Sequence, residues 1–258
     1  MATLADDAAF GRMRDSRFFE ISAILMALIL VSGFSIHLAM GRSNFGAPLF
    51  VHVHGVVFFG WVALYVAQTF LATRGSLALH RRLGWLAAGW VAAMVVAGFA
   101  VIVWRIQAAQ APFFFRPQHF LIANPLVVLL FAGLTSAAVV MRKRTDWHRR
   151  LHLCAMAALL GPGFGRLLPM PLMIPWSYQI AMVCGLAFPL AGIIRDLRRT
   201  GRVHRAWLWG VGTILAVMAG TEAIVYSPIG DAIYGWVTAG TPGAAVAPLE
   251  FGPMPPMG

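Results

Sequence analysis

Apolar residues crowd into seven stretches of the chain: Ile21–Met40, Leu49–Ala72, Leu83–Trp104, Phe120–Met141, Arg150–Leu168, Ser177–Ile194 and Ala206–Tyr226. Short polar segments rich in arginine separate them. A helix rising about 1.5 Å per residue needs close to 20 such residues to cross about 30 Å of hydrocarbon. Backbone groups in lipid have to bond within the segment, so apolar runs of this length predict helices. The pattern therefore predicts an all-α, polytopic membrane protein with a seven-transmembrane-helix bundle. Residues 1–20 form an N-terminal cytoplasmic segment, 21–226 the helical domain, and 227–258 a loosely structured, Pro/Gly-rich external tail. In the third stretch, Gly84, Ala88 and Ala92, with Gly89, Ala93 and Ala97, recur every four residues. Small residues let helices approach closely, which predicts a central place for that helix.

Composition sharpens this picture. Of 258 residues, 60% are apolar and 11% charged, whereas soluble domains run near 45–50% and about 25%. That excludes an ordinary cytosolic enzyme, and the loops leave no room for a separate soluble catalytic domain. The net charge of +11 would suggest nucleic acid on a soluble chain, but the placement of the basic residues accounts for it without any nucleic-acid partner. Arg12, Arg14, Arg17, Arg74, Arg81, Arg82, Arg142, Lys143, Arg144, Arg149, Arg150, Arg195, Arg198, Arg199, Arg202 and Arg205 share one side; Arg42, Arg105, Arg116 and Arg166 take the other. The positive-inside rule then puts the N-terminus in the cytoplasm and the C-terminus outside. Trp85, Trp147, Trp207 and Trp209 mark the inner boundary, and Trp104 and Trp176 the outer one.

Several chemistries fail for want of residues. A retinal Schiff base needs a membrane lysine, and the only lysine is Lys143, in a loop. Di-iron hydroxylases need clustered histidines, thiol oxidoreductases a C-x-x-C pair, and membrane ceramidase-like hydrolases a His-x-x-x-His pair in the last helices. None is present. Cys154 and Cys184 fall at different expected depths, which argues against a disulfide framework.

The eight histidines are more suggestive. His37, His52, His54 and His119 fall near outer helix ends, and His80, His148, His152 and His204 near inner ones. Polar residues near membrane depth point to function. Histidines on facing helices can ligate a b-type haem axially in a bundle core. His54 with His119 would form an outer pair and His80 with either His148 or His152 an inner one. The second helix extends about 27 Å inward from His54, which is room for two stacked sites. Arg82 and Arg150, with their neighbours Arg81 and Arg149, are placed to bind haem propionates. The competing reading makes these histidines interfacial residues of a basic rim. His52 and His54, two apart, face different ways and cannot serve one site. His148 and His152 share a face, a spacing compatible with a chelated metal, though the surrounding arginines oppose a bare dication. Asn124–Pro125 reads as an N-cap and first-turn proline, which would leave His119 outside its helix.

Two further features stand apart. Gly161–Pro162–Gly163–Phe164–Gly165 is expected to break the fifth helix before Arg166, leaving either non-helical backbone facing protein or a cavity, or a kinked packing helix. Glu222 lies about one turn inside the outer end of the seventh helix. Arg166, at similar height, is its expected partner, either in a structural ion pair or beside a proton-relay or ligand-binding carboxylate.

His80-Arg81-Arg82-Leu83-Gly84-Trp85, Asp146-Trp147-His148-Arg149-Arg150-Leu151, the later Arg166, and Gly201-Arg202-Val203-His204 resemble an uncharacterised family of bacterial multi-span inner-membrane proteins. The resemblance covers roughly residues 50–210 and places His54, His80, His148, Arg166 and His204 at motif positions, but neither His37 nor His152. More distantly, His54-Gly55 with Trp61 and the His-x-x-Leu-Gly element are similar to transmembrane diheme cytochromes b of the ascorbate-dependent ferric reductase type. That similarity implies histidine ligands from four successive helices and a haem b cofactor. Three functions stay open at this point: electron transfer through one or two b-type haems, a non-enzymatic accessory subunit of a larger membrane complex, and a small-ligand sensor or carrier using His37, His54, Arg166 and Glu222. The accessory reading rests on the apolar tail ending Phe251-Gly252-Pro253-Met254-Pro255-Pro256-Met257-Gly258, which has little reason to order alone.

Overall fold

A computed structural model describes residues 2–43 and 45–253. Among them there is no strand. Ten helices follow in order: α1 (Ala2–Ala39), α2 (Leu49–Thr73), α3 (Leu77–Gln107), α4 (Pro117–Val140), α5 (Thr145–Ala158), α6 (Gly161–Leu167), α7 (Ser177–Gly185), α8 (Ala187–Thr200), α9 (Arg205–Val225) and α10 (Pro228–Thr238). Six segments are long and apolar enough to cross a membrane: Ser16–Ala39, Leu49–Thr73, Leu77–Gln107, Pro117–Lys143, Ser177–Thr200 and Arg205–Val225. Large apolar side chains cover the outside of the bundle, with Val56, Val96, Val140 and Leu208 all more than half exposed. A continuous apolar exterior of this kind belongs in lipid, and the protein is a multi-pass membrane protein.

The predicted stretch Arg150–Leu168 is divided between α5 and α6. The cause is Pro162, which lacks the N–H that would bond the Ala158 carbonyl and whose ring crowds that carbonyl. The break comes at Leu159–Leu160, slightly earlier than expected, and the Gly-Pro-Gly sequence forms the first turn of α6. Every residue from Leu153 to Leu160 is buried, which makes α5 an inner helix wrapped by α1, α4, α8 and α9.

The small-residue stripe of α3 does not make that helix central. Gly89, Ala92 and Ala93 are exposed, and the helix packs instead through Ala87, Val91, Met94, Gly98 and Val101. The centre belongs to α4, with 56% of its apolar window buried against 28% for α3. The helix α4 begins with Pro117 in its first turn and runs through Pro125. Asn124 is therefore not a cap; its amide donates to the Phe120 carbonyl at 2.8 Å. His119 lies in the first turn, inside the helix.

The arginine-rich loops gather at one end, called here the basic end. Arg142 sits over the Trp85 ring and Arg149 over Phe19, and Trp147 packs on His204. Glu20, at the foot of the first apolar run, is buried there and accepts from Arg74 Nε at 2.9 Å. At the opposite end the segment expected to be loose folds back. In α10, Gly230, Tyr234 and Thr238 are buried while Ile229, Ile233 and Trp236 are exposed, an amphipathic arrangement suited to an interface. The Tyr234 hydroxyl donates to the Gly243 carbonyl at 3.1 Å, and Gln118 N donates to the Pro248 carbonyl at 2.9 Å. The tail through Pro253 thus finds its partners within the chain. Residues 254–258 lie outside the described residues.

Candidate functional site

At the basic end, α3 brings His80 and α5 brings His148 and His152 together. Capping of α3 by Ser76, whose Oγ accepts from Leu79 N at 3.3 Å, sets the register that places His80 on the first turn. The His80 and His148 rings stand 6.3 Å apart, centre to centre, at 89°. His152, one turn beyond His148, touches it edge-on at 4.6 Å. His148 Nδ1 donates to the Ala138 carbonyl of α4 at 2.8 Å, which leaves its Nε2 as the nitrogen with a free lone pair. That is the tautomer and orientation a metal-ligating histidine usually receives from a backbone carbonyl. His80 Nδ1 is buried with no partner.

The 6.3 Å separation discriminates between ligand geometries. An imidazole binds a metal at about 2 Å and its ring centre lies ~1 Å further out, so ligands on opposite sides of one ion have centres about 6 Å apart. Ligands on the same side come closer. The spacing of the pair is compatible with one metal ion held between the two rings. Among the described residues, no group of three or more His, Cys, Asp or Glu is arranged to hold a metal ion.

The two arginines assigned to propionates part ways. Arg82 is exposed and has no partner among the described residues. Arg150, in contrast, is buried and engaged. Its Nη2 donates to Asp196 Oδ1 at 3.0 Å, its Nε to Oδ2 at 3.3 Å, and its Nη1 to the Asp146 carbonyl at 3.2 Å. The indole of Trp207 donates to Asp196 Oδ2 at 2.9 Å and lies beneath the guanidinium. Gly192, one turn before Asp196, leaves the space that the Trp207 ring occupies, and a Cβ there would collide with it. Arg150 thus ties α5 to α8 and α9 and is not available to a propionate. Sequence reasoning missed Asp196, although it is the only acid between Asp146 and Glu222, a signal that it had to serve a buried cation.

The outer histidines do not form a matching pair. His54 Nδ1 donates to the Ala97 carbonyl of α3 at 3.3 Å and its ring tilts onto Phe58 at 4.2 Å. His119 turns towards α7 and α9: its Nε2 donates to Glu222 Oε1 at 3.0 Å, and its ring packs on Tyr178 at 4.6 Å. The Trp61–Phe131 contact aligns α2 with α4. Counted from it at 1.5 Å per residue, His119 lies roughly 7 Å further out than His54.

Glu222 does not pair with Arg166. Besides His119 it accepts from Gln179 Nε2 at 2.6 Å. Arg166 donates instead to the Pro162 carbonyl at 2.9 Å and stacks on Phe34 at 3.8 Å. The cleft beside His119, walled by Arg116, Tyr178, Tyr226 and Phe251, measures about 10 Å³, room for about one water. Of the four residues considered for a small-ligand sensor, Glu222 bonds His119 and Gln179, while His37 hydrogen-bonds the Arg166 backbone and His54 lies within electrostatic reach of Arg166. The chain matches no known protein family, no curated protein and no solved structure.

Proposed function

We propose that this chain is a bacterial inner-membrane electron-transfer protein with one b-type haem at its basic end, which His80 and His148 would hold. It is read as crossing the membrane seven times, with the broken pair α5–α6 as the fifth crossing, the N-terminus inside and the C-terminus outside. The distribution of arginines supports that orientation. The observation carrying the functional reading is the perpendicular His80–His148 pair at 6.3 Å, one ring fixed by a carbonyl and the other with a buried unpartnered nitrogen. When bound, such a haem supplies one-electron exchange. The residues of the chain do the rest. Ala138 holds the His148 tautomer, Arg81 and Arg82 offer cations to acidic substituents, and the Arg150–Asp196 pair keeps α5 in register. Support for a second, outer haem is lacking, because the His119 Nε2 is committed to Glu222. A resemblance to diheme cytochromes b thus extends to the inner pair alone.

The test is a reduced-minus-oxidised absorbance spectrum of protein purified from haem-replete cells. A b-type spectrum that disappears in both His80→Ala and His148→Ala is expected. A cofactor-free wild-type preparation eliminates the proposal.

A further inference from the structure

A cavity of about 400 Å³ opens at the basic end between α8 and α9, lined chiefly by Trp147, Arg150, Asp196, Arg202, His204 and Arg205. Its size lies within the range of ligand sites. Arg150 and Asp196 neutralise one another across the floor, which leaves Arg202 and Arg205 on the rim. Both are exposed, and neither has a partner for its guanidinium among the described residues. Gly201, at φ 67°, makes the left-handed turn that carries Arg202 to the cavity. The N-terminus of the 21-residue α9, whose cap is His204, adds a partial positive charge at the same place. All these features call for an anion with several acceptor oxygens, and phosphate answers that description.

The surroundings indicate what bears the phosphate. Ile194 and Leu197 on α8, with Leu208 and Trp209 on α9, are all more than 45% exposed within about two turns of the cavity. A basic recess immediately above an exposed apolar surface matches an amphiphile, with its anion in the recess and its chains along the helices. We propose that this cavity holds the phosphate-bearing headgroup of an anionic phospholipid. The site shares no ligand with His80 and His148 and stands or falls apart from the haem.

The experiment uses the full chain in nanodiscs of phosphatidylcholine containing graded phosphatidylglycerol, read by native mass spectrometry for retained lipid and by the thermal unfolding midpoint. Wild type is expected to retain phosphatidylglycerol over phosphatidylcholine and to unfold at a higher temperature in its presence. The double variant Arg202→Ala with Arg205→Ala is expected to lose about fivefold in apparent affinity for each arginine. Arg202→Lys with Arg205→Lys, which keeps the charges, retains most of the preference and controls for folding. Equal retention of both lipids by wild type and the alanine variant overturns the proposal. So does a midpoint that rises with millimolar inorganic phosphate as much as with phosphatidylglycerol, which would assign the cavity to free phosphate.

Discussion

Replacing Asp196 with Ala tests whether Arg150 holds the helices together or serves a cofactor. The side chains of Arg150 and Asp196 are 8% and 9% exposed, so the variant leaves a guanidinium buried without its carboxylate. Breaking a buried pair in this way costs about 3–5 kcal/mol, a large share of a stability near 5–15 kcal/mol. The Trp207 N–H also loses its acceptor, worth about 1–3 kcal/mol and not additive with the first loss. Removing both charges is a different perturbation. Arg150→Met with Asp196→Leu fills similar volume, avoids desolvating either ion, and leaves only the indole unsatisfied. It is expected to fall within about 2 kcal/mol of wild type. Denaturation in detergent micelles, followed by tryptophan fluorescence, measures both variants, and the haem spectrum is recorded in parallel. The double variant keeps the spectrum if Arg150 acts on Asp196 alone. A loss below about 1 kcal/mol for Asp196→Ala refutes the structural role. Loss of the spectrum from a stable double variant returns Arg150 to the propionates.

Three other outcomes follow from the same contacts. His54→Ala and His119→Ala keep the b-type spectrum that His80→Ala and His148→Ala lose, and loss in either outer variant contradicts a single inner haem. Glu222→Gln keeps an acceptor for Gln179 and His119 but removes the charge; with its side chain 34% exposed, the variant shifts stability by no more than about 1 kcal/mol. At His204, burial holds the imidazole below the usual histidine range, Arg150 adds to that, and Asp146 and Asp196 partly oppose it. The native state therefore favours the neutral ring, whose Nδ1 accepts from Ala206 N at 3.1 Å. That stability is complete above the unfolded value of about 6.5 and is lost as pH falls through the lower folded value. Unfolding midpoints compared between pH 7.5 and 5 are expected to drop, and His204→Asn, a cap that does not titrate, flattens His204's share of the drop.

Much of the helical layout was legible because lipid imposes it: apolar runs of sufficient length become helices, and arginines collect where they end. Ends set by side-chain chemistry were less so. Asn124–Pro125 looks like a helix start, yet Pro117 supplies an earlier first-turn proline, and α4 passes through Pro125 with Asn124 bonding the Phe120 carbonyl. The tail misled for a related reason. Its Pro and Gly content suggests looseness, but Gly230, Tyr234 and Thr238 recur at helical spacing and give α10 a face to bury. Pairing across the fold was least legible of all. Helix periodicity states which way Arg150 or Glu222 points on its own helix, not which helix stands opposite. Asp196 is 46 residues from Arg150, and Gln179 is 43 from Glu222.

Those pairings also distinguish structural polar groups from functional ones. A buried ionisable side chain that serves the fold is expected to have its bonding satisfied by the fold, since an unmet group costs about 1–3 kcal/mol. Glu20 has Arg74, Arg150 has Asp196, and His119 has Glu222, each within 3.0 Å of its partner. His80 has none for its buried Nδ1, and it faces a histidine whose Nδ1 is already spent on a carbonyl. Trp61 Nε1, Gln118 Oε1 and Thr135 Oγ1 are likewise buried without a hydrogen-bond partner, so what sets His80 apart is the imidazole opposite it. The polar groups bonded within the fold are therefore structural, and the opposed His80 and His148 rings, 6.3 Å apart, are the pair that the spectra of His80→Ala and His148→Ala test.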